Sequence, residues 1–247
     1  MSEHTVTDEH PQRPLVLLPG YWLGGWAWDE VLRSLTERGH PAEAVTLPGL
    51  DPADTARDRV RFADHVRHVI ERLDAQPGPS VLVAHSGSGA VATAVADAVP
   101  DRLARIVYVD SGPCADGWVP VPDLPDEAVE VPFPGLDALA ADGASTEGIE
   151  GPQRDGFEQR AVPQPAGACR EPIRLTDPRR NAVPATLVCC SLGSDTIREL
   201  ADQGAPMFAA VNDLTDRTWI DLPTGHWPMF SRPADLARIL SDEATRS

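Results

Sequence analysis

The sequence predicts an α/β protein: a doubly wound, mostly parallel sheet of about six strands with a small irregular cap insertion. Short β-branched runs alternate with amphipathic helical patterns along the chain, which is typical of a parallel sheet covered on both faces. A chain of 247 residues with 42% hydrophobic residues is long enough to bury one core of this kind. We therefore expect one α/β domain carrying an insertion, without internal repeats.

The strand and helix patterns follow one another in a regular order. Continuous apolar runs bounded by turn residues indicate buried strands, and we predict strands at residues 14–18, 42–46, 80–84, 105–109, 185–190 and 218–222. Apolar stripes at helical spacing predict helices at residues 28–38, 58–73, 88–99, 196–211 and 233–241. The last helix begins with a proline, which the first turn tolerates.

Two regions lie outside this alternation. Residues 112–183 are rich in proline and acidic residues and have no sustained helical period, so we expect mostly loop with short helices near 135–142 and 153–160. We assign this segment as a cap or lid insertion between the two parts of the core, residues 14–111 and 184–247. Residues 1–13 are polar and are predicted to be a disordered tail without a secretion signal.

A sharp strand-to-helix turn is predicted within the segment Val-Leu-Val-Ala-His-Ser-Gly-Ser-Gly. Such a turn forces its corner residue into a strained backbone conformation, and the positions two before and two after it then have room only for small side chains. Ala84 and Ser88 fit those positions, which makes Ser86 the corner and a candidate nucleophile above a helix N-terminus. Ser88 is the alternative corner residue.

A histidine and a carboxylate follow later strands at corresponding positions. His226 is the only histidine beyond residue 85, and it lies in the loop after the predicted strand 218–222. Asp195 follows the strand 185–190, and Asp110 directly follows the strand 105–109. Because ligands collect at the carboxyl ends of parallel strands, we predict Ser86, His226 and Asp195 as a catalytic triad, with Asp110 as the alternative acid.

The order Ser…Asp…His along the chain resembles that of the α/β-hydrolases. The segment from Leu15 to Trp28, with Gly20, Gly24, Trp26 and Trp28, is similar to the H-G-x-x-x-G-x-W-x-W loop of the plant methylesterase and hydroxynitrile-lyase branch. Pro19 stands where that branch usually has histidine.

This resemblance implies a serine hydrolase that cleaves an ester or lactone of a small to medium, apolar substrate through an acyl-enzyme. It also implies that the backbone N–H groups of Tyr21 and Gly87 form the oxyanion hole. The same triad supports three alternatives: carbon–carbon bond hydrolysis, thioester hydrolysis and intramolecular acyl transfer or cyclisation. A non-catalytic ligand-binding protein on this fold is the alternative from another class.

The substrate site is expected to be lined by aromatic residues near the triad. The candidates are Trp22, His85, Trp118, Trp227 and Phe230. His85 adjoins the nucleophile in sequence but alternates to the other side of the strand, so it is also a candidate for simple packing.

The composition indicates that the expected partner is a small-molecule substrate. A net charge of −17 argues against nucleic acid and anionic membranes as partners, and no apolar run is long enough to span a bilayer. No metal-binding or phosphate-binding motif is present, so we expect neither metal nor cofactor. Four cysteines without disulfide spacing indicate a cytoplasmic protein, and the complete absence of lysine suggests a bacterial, GC-rich genome. The sequence does not predict the oligomeric state.

Overall fold

Six parallel strands form the central sheet of the protein. The computed structural model describes residues 12–246. The six strands are β1 (Leu15–Leu18), β2 (Ala42–Ala44), β3 (Ser80–His85), β4 (Leu103–Val109), β7 (Ala185–Cys189) and β8 (Arg217–Asp221), with the two-residue strands β5 (Glu130–Val131) and β6 (Gln164–Pro165) between β4 and β7. The order across the sheet is β2-β1-β3-β4-β7-β8, and every pairing in it is parallel. The predicted fold class and number of core strands are confirmed.

Helices cover both faces of this sheet. They are α1 (Asp29–Glu37), α2 (Phe62–Asp74), α3 (Ser88–Ala98), α4 (Leu136–Ala141), α5 (Gly151–Arg160), α6 (Ser194–Asp202), α7 (Pro228–Ser231) and α8 (Pro233–Thr245). The helices α2, α3 and α6 pack on one apolar face of the sheet, and α1 and α8 pack on the other. Because β1, β3, β4 and β7 are buried on both faces, they are mostly apolar in sequence. Arg105 in β4 and Thr186 in β7 are buried polar exceptions.

Two helix predictions are corrected in their bounds. The predicted helix 196–211 ends at Asp202, because Gly204 has a left-handed backbone with φ of 72° and Pro206 follows it, and a separate 3-10 turn spans Ala209–Asp213. The predicted helix 58–73 begins later, at Phe62, where the Asp64 carboxylate accepts the backbone N–H of Arg61 at 2.8 Å.

Residues 112–183, the predicted insertion, contain little regular structure. Its two short helices, α4 and α5, lie near the expected positions, and β5 pairs antiparallel with β6, with Val131 opposite Gln164. Within residues 12–246, no helix is long and apolar enough to cross a membrane.

Most of the predicted tail, residues 1–13, lies outside the described residues. Of its last residues, Arg13 is part of the folded core, because its backbone N–H donates to the Ala244 carbonyl at 3.1 Å.

Candidate active site

Ser86 lies at the sharp turn between β3 and α3. Its φ of 52° is left-handed, a strained conformation for a residue with a side chain. Ala84 is fully buried before the turn. Ser88 begins α3, is 3% exposed, and its hydroxyl donates to the Pro19 carbonyl. Ser86 is therefore the corner residue, and Ser88 is committed to a structural hydrogen bond.

His226 joins this serine to a carboxylate. The imidazole lies in the loop after β8, and its Nε2 is 2.8 Å from the Ser86 hydroxyl oxygen. Its Nδ1 is 2.6 Å from Oδ2 of Asp110. When Nδ1 carries its proton and donates to the carboxylate, Nε2 is free to accept a proton from the serine.

Asp110 is held at the end of β4 by four hydrogen-bond donors. Besides the imidazole, the backbone N–H groups of Cys190 and Ser191 donate to Oδ1 at 3.0 and 2.9 Å, and the Ser191 hydroxyl donates to Oδ2 at 2.6 Å. Burial tends to raise the pKa of this carboxyl, but the hydrogen bond and charge of His226 and the bonds from Ser191 outweigh it and hold the pKa below its usual value. The group is therefore an anion at neutral pH.

The choice of Asp195 as the acid is wrong. This residue lies in the first turn of α6, where its side chain is 91% exposed and pairs with Arg198 at 2.9 Å. The chain leaves β7 through Ser191 and Gly193 before α6 begins, which carries Asp195 away from the end of the sheet. Asp110, the alternative in the sequence analysis, contacts the histidine instead.

The two candidate oxyanion donors flank the serine. Tyr21 follows β1 and Gly87 follows the nucleophile, and both line the same cavity as Ser86. The Tyr21 ring packs against Gly87 so closely that a Cβ there would lie 2.4 Å from it. Within the described chain, the N–H groups of Tyr21 and Gly87 donate no hydrogen bond, so both remain free for a ligand oxygen.

A cavity of about 370 Å³ opens over these groups. Among residues 12–246, its only charged or titratable lining groups besides the Ser86–His226–Asp110 cluster are the Tyr21 phenol and the Cys114 thiol. Burial raises the pKa of that thiol to about 11, which keeps it protonated. The wall away from the triad is apolar and is formed by Ala90, Pro113, Trp118, Pro120, Leu192, Ile197, Pro206, Met207, Phe208 and Val211.

Of the five predicted substrate-binding residues, only Trp118 lines this cavity. His85 is fully buried, and its Nε2–H donates to the His226 carbonyl at 2.7 Å; burial lowers the pKa of His85 far below its usual value, so the ring is neutral. Trp227 is 4% exposed, and Phe230 packs with it around Phe157.

Trp22 also lies outside the cavity, against Phe133. All four adjoin the loops of the site in sequence. Trp22, Trp227 and Phe230 instead pack against Phe133 and Phe157 of the insertion, whereas His85 contacts the His226 loop from within the core.

Sequence reasoning missed two lining residues of the loop after β7. Ser191 holds the acid, and Leu192 is 40% exposed at the edge of the cavity. The available signal was their position, immediately after a predicted buried strand.

The chain is similar to known proteins along most of its length. The model of the alpha/beta hydrolase family matches residues 15–239. The chain is 28% identical over 247 residues to a carbendazim hydrolyzing esterase of Nocardioides sp. (strain SG-4G), covering 92% of this chain and 97% of the relative. It is 24% identical over 263 residues to methylesterase 7 of Arabidopsis thaliana, covering 97% and 99%.

A solved structure of an extracellular alpha/beta-hydrolase from a Paenibacillus species has the same fold. It superposes with a TM-score of 0.75 at 21% identity, over 95% of this chain and all of that chain. An Arabidopsis methylesterase structure gives a TM-score of 0.71 at 18% identity, over 94% and 99%. The resemblance identified in the sequence is thereby confirmed.

Proposed function

This chain belongs to the alpha/beta hydrolase family and is an enzyme of that family; from this premise we propose that it hydrolyses uncharged esters through a Ser86–His226–Asp110 triad. The observation that carries the proposal is the unbroken line of hydrogen bonds from the Ser86 hydroxyl through His226 to Asp110, with the serine facing a cavity. Relatives named esterase and methylesterase support the same type of reaction.

In the proposed mechanism, His226 Nε2 removes the proton of Ser86 as the serine oxygen attacks the ester carbonyl carbon. The tetrahedral oxyanion accepts hydrogen bonds from the N–H groups of Tyr21 and Gly87. Collapse of this intermediate breaks the bond to the alcohol, which takes the proton from the imidazolium. Water then attacks the acyl-enzyme by the same route and releases the acid, with Asp110 stabilising the imidazolium in both halves.

The cavity favours a neutral and fairly apolar substrate. A buried carboxylate at its base and the net charge of −17 disfavour an anionic ligand. On the outer wall, Leu192 is 40% and Met207 is 65% exposed, so apolar surface continues from the cavity to its mouth. An apolar group of the substrate is stabilised there by about 25 cal/mol for each Å² removed from water.

Covalent labelling tests this proposal. We expect a fluorophosphonate to add to Ser86, seen as a mass increase on the intact protein and mapped to the peptide that spans β3 and α3. Ser86→Ala should abolish labelling and turnover, whereas the matched variant Ser88→Ala should still be labelled.

The substrate preference is tested with p-nitrophenyl esters of a neutral acyl group and of a matched acyl group that carries a terminal carboxylate. We expect the neutral ester to have the higher kcat/KM. Absence of labelling at saturating probe, or labelling at a residue other than Ser86, contradicts the assignment of the nucleophile.

A further inference from the structure

The residue after Tyr21 has an unusual backbone. Trp22 has φ of 65°, in the left-handed region that a bulky side chain rarely adopts and that costs on the order of 1–3 kcal/mol unless its surroundings impose it. A strained residue in a loop needs hydrogen bonds or packing that hold it there. The backbone conformation at Trp22, and with it the position of Tyr21, therefore depends on the contacts around this residue.

Among the described residues, all the hydrogen bonds made by Trp22 are with the insertion. Its N–H donates to the side-chain oxygen of Gln164 at 3.4 Å, and its carbonyl accepts the N–H of Val162 at 2.9 Å. Its indole N–H donates to the Val131 carbonyl at 3.1 Å. Val131 and Gln164 face each other across the β5–β6 pair. This small antiparallel pair therefore forms hydrogen bonds with both the backbone and the side chain of Trp22.

Gln164 is buried next to Trp22. Only 2% of the residue is exposed, so its amide has little access to bulk solvent. A buried amide is retained where its hydrogen bonds specify an arrangement, because burying it unpaired is unfavourable. Its oxygen is directed at the N–H of the strained residue.

The insertion also holds the loop of the histidine. The His226 N–H donates to the Ser145 carbonyl at 2.7 Å. Gly225 lies so close to this segment that a Cβ there would be 2.5 Å from the Glu147 carbonyl oxygen. The same insertion thus contacts both loops that carry the proposed chemistry.

We propose that Gln164 is a positioning residue for the oxyanion hole, and that the β5–β6 pair of the insertion holds Trp22 left-handed so that the Tyr21 N–H stays directed at the cavity. This inference rests on the proposed function. Without these hydrogen bonds, Trp22 relaxes toward negative φ, the backbone of the preceding Tyr21 shifts, and the Tyr21 N–H, which belongs to the Gly20–Tyr21 peptide, is no longer directed at the cavity. The insertion is then a part of the assembled site as well as a cover over it.

The test compares Gln164→Leu with the matched control Gln153→Leu. Gln153 also lies in the insertion and donates to a core carbonyl, that of Phe230 at 3.1 Å, but it is exposed, and within the described residues it makes no hydrogen bond to Tyr21 or Trp22. We expect Gln164→Leu to lower kcat on the order of tenfold, a fraction of the effect of deleting a donor, with KM little changed.

A trifluoromethyl ketone, which forms a tetrahedral adduct with the serine, should lose affinity for Gln164→Leu by the same factor as kcat. The pH profile should keep its shape, because His226 and Asp110 are untouched. Gln153→Leu should leave kcat and ketone affinity within twofold of the parent enzyme.

A double-mutant cycle isolates the backbone effect. Glycine adopts positive φ without strain, so in a Trp22→Gly background the Gln164→Leu substitution should change kcat by less than threefold. An equal loss of kcat with Trp or Gly at position 22 overturns the proposal, as does a lowered Tm with unchanged kcat and ketone affinity. Fluorophosphonate labelling of Ser86 in the parent enzyme reports separately on the proposed function.

Discussion

Strands β4 and β7 carry a polar cluster at each end, and the two clusters differ in their access to solvent. At the carboxyl ends, Asp110 accepts the Ser191 hydroxyl at 2.6 Å and His226 at 2.6 Å. Toward the amino ends of the same strands, Arg105 lies 3.2 Å from Glu243 of α8, and the Thr186 hydroxyl donates to that carboxylate at 2.7 Å.

The first cluster opens to the cavity and the second is closed. Ser191 is exposed and the His226 side chain is 21% exposed, so a proton can pass from a ligand to the imidazole. The side chains of Arg105 and Glu243 are 6% and 0% exposed, and they join α8 to the sheet. Hydrogen-bonded polar groups thus take part in the proposed reaction at one end of these strands and fix α8 at the other. Substitutions in each cluster should separate the two roles.

The largest expected effect comes from neutralising the acid of the open cluster. Asp110→Asn keeps the size of the side chain but removes the charge that stabilises the imidazolium and selects its tautomer, so kcat on a p-nitrophenyl ester should fall about 10⁴-fold. Asp195→Asn is the matched control and should leave kcat within twofold, because the Asp195 side chain is 91% exposed and pairs with Arg198. The reverse ranking in initial-rate measurements would restore Asp195 as the acid.

This pair of aspartates shows where sequence reasoning ends. The strands, the corner serine and the histidine were predictable, because burial, small flanking residues and position after a strand can all be recognised from neighbouring residues in the sequence. Asp110 and Asp195 satisfy the same local criterion. Only the tertiary structure separates them: Asp110 turns with φ of 42° toward N–H groups of Cys190 and Ser191, about eighty positions later in the chain.

The aromatic residues show the same limit. Burial stabilises an apolar side chain both in a core and in the wall of a cavity. Composition therefore cannot show which of the two places the side chain occupies. Phe230 packs against Phe157 of the insertion, while Met207 remains 65% exposed at the cavity mouth. Phe157, in the irregular insertion, is what covers Phe230.

Breaking the closed cluster should reduce stability without affecting catalysis. Glu243→Gln leaves the Arg105 guanidinium buried without its counter-charge, and this should lower the free energy of unfolding by about 3–5 kcal/mol. The kcat of the folded fraction should stay at the parent value. Urea unfolding followed by fluorescence measures the first quantity, and rates normalised to labelled Ser86 measure the second.

A double replacement completes that experiment. Arg105→Met with Glu243→Leu removes both charges and should recover most of the lost stability, since apolar residues of similar volume often match a buried ion pair. A fall in kcat parallel to the fall in stability would show that the closed cluster also supports the reaction. That result would contradict the separate roles assigned to the two clusters.

The smallest effects should come from the hydroxyl in each cluster. Ser191→Ala removes one bond that holds the pKa of Asp110 down, so kcat/KM should fall about ten- to a hundredfold, since a hydrogen bond to a charged group contributes about 1.5–3 kcal/mol. Thr186→Val removes the bond to Glu243 and should lower the free energy of unfolding by about 1–3 kcal/mol, with kcat/KM unchanged.

The pH dependence distinguishes the two substitutions. Because the folded pKa of Asp110 is below its usual value, its ionisation stabilises the native state above the unfolded pKa, and that contribution is lost as pH falls through the folded pKa. Ser191→Ala raises the folded pKa, so loss of activity and of stability on the acid side should begin at a higher pH than in the parent enzyme. Thr186→Val should leave the acid limb of kcat/KM where it is. If both variants shift that limb equally, the two ends of β4 and β7 are coupled, and the separation of reactive and structural clusters fails.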